Sequence, residues 1–298
     1  MNTGEHAKFL WMGDRIMERV RYLFTIMVLA LISQNPAYAQ INGTTDSLQY
    51  ADLADLSVDA PIIVRATIKK AIKVDPERAL GAPAGTQRYY VIATTNALIR
   101  GQKGIPETIR YIIDLPLDSR GRAPKIKKNN YILFARNIIG STGDIQLVAQ
   151  DAQILWTPER DNRIRQIVRE IVSVDKAPRI TAIGSAFHVP GTIIGEGETQ
   201  IFLETENRQP VSITILRRDG QQKKWAVSLG EIVDEAARAP VRNSLLWYRL
   251  ACFLPRSLPD YTLTGETPSN ANQARLDYRL VIQDLGNCPR ARRHIKKM

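Results

Sequence analysis

"PIIVRATIKKAIKV" (Pro61–Val74) decides the class of fold. Ile62, Val64, Ala66 and Ile68 recur at every second position, so they share one face of an extended chain, as in a half-buried strand. Further along, "QRYYVIATTNALIRG" (87–101) is β-branched and aromatic and stops at Gly101. "ETIRYIIDLP" (107–116) sets Ile109, Tyr111 and Ile113 on one side, and "NNYILFARNI" (129–138) and "DIQLVAQ" (144–150) complete five runs. Breaker-rich segments lie between them: "GAPAG", "GQKGIP", "DSRGRAP" and "GSTGD". Short alternating strands punctuated in this way argue for a small barrel or sandwich.

The flanks read differently. "SLQYADLADLSVDA" (47–60) is a short helix or turn leading into the core. "TPERDNRIRQIVREIVSV" (157–174) is a helix, with Thr157 as N-cap, Pro158 at the first helical position and an apolar stripe of Ile164, Ile167, Val168, Ile171 and Val172. It is expected to pack on the barrel. After "DKAP" (175–178) come four more strand-like runs: "RITAIGSAFHV", "TQIFLET", "PVSITILRR" and "KKWAVSL", with Asp219-Gly220 as a hairpin turn between the last two. Two helices follow. "NSLLWYRLACFLP" is capped by Asn243 or Ser244, and "SNANQARLDYRLVIQDLGNC" aligns Ala274, Tyr278, Val281 and Leu285 and stops at Gly286.

The N-terminal "MERVRYLFTIMVLALISQNPAYAQ" (17–40) has a basic start at Arg19 and Arg21, an apolar run from Leu23 to Ile32, and Ala37-Tyr38-Ala39 before a cut. Those parts in that order describe a secretory signal peptide cleaved before Gln40, with Met17 as a candidate true start. The apolar run is about half the ~20 residues that span a bilayer. Periplasmic or secreted localisation is therefore expected. In residues 1–39, Lys8, Arg15, Arg19 and Arg21 against Glu5, Asp14 and Glu18 account for +1 of the chain's +11, leaving +10 after cleavage. Such charge suits an anionic envelope polymer, a lipid headgroup surface or an envelope protein, and export disfavours nucleic acid. In an oxidising compartment Cys252 and Cys288 most simply form one disulfide; two buried free thiols are the alternative.

Catalytic chemistry is sparse. In "GTIIGEGETQIFLETE" (191–206), Glu196 and Glu198 are candidates for a glycosidase-like carboxyl pair acting on envelope glycan. The adjacent Gly195 and Gly197 favour a turn into a strand at 199–205 instead. His188 would have to serve any Ser-His-Asp arrangement, beside Ser185 but without a G-x-S-x-G elbow; His294 lies in the basic tail. Neither zinc spacing nor a phosphate-binding glycine loop occurs, so no metal and no cofactor is expected. Basic groups cluster at Arg120, Arg122, Lys125, Lys127 and Lys128, and at Arg217, Arg218, Lys223 and Lys224. Tyr89, Tyr90, Tyr111 and Tyr131 are candidate stacking partners beside them.

Residues 61–149 resemble the netrin-type module and the tissue inhibitors of metalloproteinases, on "PIIVRATI", "ALIRG" (97–101) and "IKKNNYILFAR" (126–136). The resemblance implies a five-stranded barrel of the oligonucleotide/oligosaccharide-binding (OB) kind, whose loops and strand face take extended polymers. The inhibitors act through an N-terminal cysteine; the expected mature N-terminus here is Gln40, so that mechanism does not carry over. "GEGETQIFL", "GEIVDEAA" and "LLWYRLACFLP" resemble a family of secreted bacterial proteins, which implies a compartment and no activity.

The chain is thus expected to be mostly β (α+β). A lead-in (40–57) precedes an OB-like barrel with its helix (58–175), then a β-rich part closed by a helical hairpin (176–289), and a basic disordered tail (290–298). A non-catalytic binding or structural role is favoured over hydrolysis.

Overall fold

In the computed structural model, residues 48–230 and 238–292 are described. The long strand β1 (Ile62–Lys73) is the axis of the first sheet. It pairs antiparallel with β2 (Thr86–Arg100) on one side and β4 (Asn130–Asn137) on the other. β2 continues to β3 (Thr108–Pro116), and β4 to β5 (Ile145–Leu147). The order β3-β2-β1-β4-β5 is brought nearly to closure by one parallel bridge, Arg110 with Asp144. The result is a nearly closed, five-stranded, OB-like barrel. Bulges in β1 after Ile63, Arg65 and Ile68 supply the curvature. Ile109, Tyr111 and Ile113 point into the core, as their period-two spacing requires.

A sixth strand, β6 (Gln153–Leu155), pairs with the Tyr131–Leu133 part of β4, while β5 takes Ala135–Asn137. Sequence reading does not foresee it, because Gln153–Leu155 stands alone and no longer alternating run surrounds it.

The helix α1 (Tyr50–Asp59) buries Leu53, Ala54 and Leu56. It packs against α2 (Pro158–Val172), which also touches β2. Thr157 Oγ1 accepts the Arg160 amide, as an N-cap should. Ile164, Ile167 and Val168 are buried, each worth roughly 1.5–3 kcal/mol in transfer from water. Val172, assigned to the same stripe, is instead exposed in the last turn.

The second sheet runs β10-β9-β8-β7, from β7 (Ile180–Pro190), β8 (Gly197–Thr205), β9 (Val211–Arg217) and β10 (Lys224–Ser228). Helix α3 (Leu245–Ala251) precedes α4 (Pro268–Leu285), which lies on β7 and β8 through Ala274, Tyr278 and Val281. Both sheets share one buried apolar cluster. Cys252 and Cys288 are bonded, with Cα atoms 5.2 Å apart. The tail does not come free at 290: Arg290 bonds Asp55, Arg292 bonds Asp151, and the Ala291 and Arg292 amides donate to buried Asp52. The signal segment, "EIVDEAA" (231–237), His294 and the rest of the tail lie outside the described residues.

Candidate binding site

The barrel is incomplete at the β3/β5 seam, and a cavity of about 590 Å³ occupies the gap. Backbone direction explains why it has binding potential. Arg110 N donates to Gly143 O across the seam at 2.8 Å, while Leu117 N donates to Gly85 O on the β2 side. Backbone groups alternate sides along a strand, so those of Ile112 and Asp114 point toward the seam, like those of Arg110. On the opposite lip, Ile138 N donates to Asp144 O and Val148 N to Phe134 O. The intervening Ile145 and Leu147 therefore turn their backbone groups away from β4 and toward the gap. Among the described residues, no ladder joins β3 to β5 beyond the single bridge.

Gly143 is what lets the lips touch at all. Its φ is +87°, and a Cβ there would lie 2.9 Å from Thr108 O. Below the bridge the cavity wall is neutralised. Arg88 Nε and Nη2 donate to Asp114 Oδ1 and Oδ2, both at 2.8 Å. Arg110 Nε donates to Asp144 Oδ1 at 2.6 Å, and the Ser141 hydroxyl also donates to Asp144. The Ser141 and Arg110 bonds hold the Asp144 carboxyl below the usual carboxylate range. Between these pairs Ile112 is 55 % and Ile138 45 % exposed, with Tyr90 alongside. The seam is therefore an apolar, charge-balanced groove whose two lips, beyond the single bridge, are joined by no strand ladder among the described residues.

The residues singled out by sequence fall elsewhere or are already engaged. Tyr111, a candidate stacking residue, is buried at 3 % exposure, and its hydroxyl donates to Gln153 Oε1; Tyr131 is buried too. Tyr89 packs partly buried against the core, and Tyr90 lines the cavity together with the buried Tyr111. Arg120, Arg122, Lys125, Lys127 and Lys128 are exposed in the β3–β4 loop, where Arg122 approaches Asp118 at 3.4 Å. Arg218, Lys223 and Lys224 are exposed around the β9–β10 turn, but Arg217 is bound to Asp277 and unavailable.

The groups named for hydrolysis do not converge. Glu196, half-buried before β8, accepts the Asp219 amide, and Glu198 accepts Gln200 Nε2 at 2.6 Å. His188 pairs in register with Thr199, so it shares the sheet face of Thr199 and opposes that of Glu198. There it belongs to a buried relay: His188 Nδ1 lies 2.9 Å from Thr199 Oγ1, which donates to Asp277 Oδ2 at 2.6 Å. Arg217 Nε donates to Asp277 Oδ1 at 2.7 Å. The Thr199 proton is committed to the carboxylate, so the bonding pattern assigns Nδ1–H to His188, donating to Thr199. Burial lowers the His188 pKa, which favours the neutral ring.

Among the described residues, no group of three or more His, Cys, Asp or Glu is arranged to hold a metal ion, and no helix is long and apolar enough to cross a membrane. No protein-family model matches the chain, and no curated protein is similar to it at a significant level.

Proposed function

We propose that this protein is a non-catalytic envelope binding module that takes an extended polypeptide into the open seam of its barrel. The tripartite segment at 17–39 supports export. The observation that carries the binding reading is the pair of strand edges, Ile112–Asp114 and Ile145–Leu147, facing one cavity with no ladder between them. An added strand satisfies such edges with main-chain bonds and seats alternate side chains in flanking pockets. The local chemistry favours an uncharged, apolar stretch over a polyanion, because the two arginines at the groove are each paired with an aspartate.

The test is titration of the 40–298 chain with a panel of uncharged, β-prone peptides, with oligosaccharides and polyphosphate in parallel arms. Peptide binding that weakens at least tenfold in Ile112→Arg, with an unchanged melting temperature, is the expected result. Binding confined to the oligosaccharide or polyphosphate arms, or binding indifferent to Ile112→Arg, overturns the reading.

A further inference from the structure

A second concave surface, independent of the seam, lies between the solvent face of α2 and the segment that enters α3. Its volume is about 550 Å³. Arg163 and Arg169 reach it from α2, and Arg242 from the other side. None of the three has a carboxylate partner among the described residues. Arg165 also lines it, but is held by Asp161 at 2.6 Å. Glu159 is the one acid among the lining residues and is itself hydrogen-bonded by Thr157, so guanidinium charge dominates.

Arg242 is positioned rather than free. Its guanidinium lies 5.4 Å from the centre of the Trp247 ring, and Nη1 sits so close to Gly286 that a Cβ there would be 3.1 Å away. Asn243, next to it, takes a left-handed φ of +61°, a conformation that asparagine tolerates better than most residues. On α2, Arg165 and Arg169 are one turn apart, a like-charge spacing that costs an isolated helix a few tenths of a kcal/mol. Arg169 itself is exposed and faces away from the buried stripe of Ile164, Ile167 and Val168.

We infer that this cleft binds a phosphoryl group, with Arg163, Arg169 and Arg242 donating to its oxygens. Guanidinium forks match phosphate geometry in two-point contacts, and the side-chain amide of Asn243 supplies a neutral donor beside them. A phosphoryl group reaches such a surface either free in solution or on a lipid headgroup.

The experiment uses the 40–298 chain with two probes: tripolyphosphate by calorimetry at low salt, and phosphatidylglycerol vesicles against phosphatidylcholine vesicles by co-sedimentation. Binding of tripolyphosphate identifies a free phosphoryl ligand; binding of phosphatidylglycerol vesicles alone identifies a headgroup. In either case Arg163→Gln and Arg242→Gln weaken binding at least tenfold and Arg242→Lys nearly as much, because the fork is lost. The paired control Arg120→Gln/Lys125→Gln leaves it within twofold. The inference fails if neither probe binds. It also fails if the control variant loses as much as the cleft variants, since binding then follows overall charge.

Discussion

Arg290 donates through Nε to Asp55 Oδ2 at 2.8 Å, joining the last described stretch of the chain to α1, its first described helix. The same carboxylate accepts the Tyr248 hydroxyl, so α1, α3 and the C-terminal arm meet at one group. The Cys252–Cys288 disulfide holds the base of that arm, with the two cysteines 36 positions apart in the chain. Closing a loop of that length removes roughly 3–4 kcal/mol of unfolded-chain entropy. Cys252→Ser/Cys288→Ser is expected to lower unfolding free energy by about that amount in denaturant titration. Peptide mapping without reductant should recover the linked pair, and two freely alkylated thiols in the native protein would contradict it.

Gly197 lies against His188. A Cβ at 197 would stand 2.7 Å from His188 Cε1 and 2.8 Å from Val189 O. Gly197→Val must therefore displace the ring or the β7 backbone, and the melting temperature is expected to fall by several degrees, as about 1–3 kcal/mol of overpacking implies. Glu198→Gln, whose carboxyl accepts a hydrogen bond from Gln200 Nε2, should change it by less than a degree. The opposite ranking would restore Glu198 as a group under functional or structural demand.

Asp277 is fully buried, with Arg217 as its charged partner. Removing one member of a buried pair strands the other, at about 3–5 kcal/mol. Arg217→Met is expected to destabilise by about 3 kcal/mol, and the Arg217→Met/Asp277→Asn double variant to recover part of it. A single-variant loss below about 1 kcal/mol would mean that the remaining bonds from Thr199 and Gln273 suffice.

His188 has a pKa lowered by burial, with Arg217 acting in the same direction and Asp277 and Glu266 opposing. The unfolded chain thus binds a proton that the folded chain resists. The stability this histidine contributes is complete above the ordinary imidazole value of about 6.5, and it is lost as pH falls from there toward the lower folded value. The difference in unfolding free energy between wild type and His188→Gln should shrink across that acid window and stay flat above pH 7. A difference that grows on acidification would reverse the assigned sign.

Gly143→Val should break the single bridge closing the barrel, by strain at φ +87° and by collision with Thr108 O. The Arg110 amide, which donates to Gly143 O, is then expected to exchange with solvent at least tenfold faster, while amides of the β1–β2 ladder keep their protection. Unchanged Arg110 protection would show that the bridge does not depend on this glycine.

Local pattern was enough to locate most elements. Period-two runs such as Ile109–Tyr111–Ile113 mark strands wherever one face is wet, and Thr157-Pro158 or Gly286 mark helix ends by capping chemistry that involves only a few neighbouring residues. Two cysteines leave a single intramolecular pairing, so Cys252 with Cys288 was also legible. The sites were not. The seam exists because Arg110 and Asp144 meet once and their strands then part, which no run of residues encodes by itself. Arg217 reads as surface charge until Asp277, 60 residues on, arrives beneath it, and Arg163 and Arg242 read as unrelated until α2 and α3 are packed. Backbone propensity and hydrophobic period act over a turn or a strand, so sequence alone determines them. Charge pairing, burial of polar groups and the shape of a cavity depend on which distant segments the core draws together, and only the tertiary structure decides that.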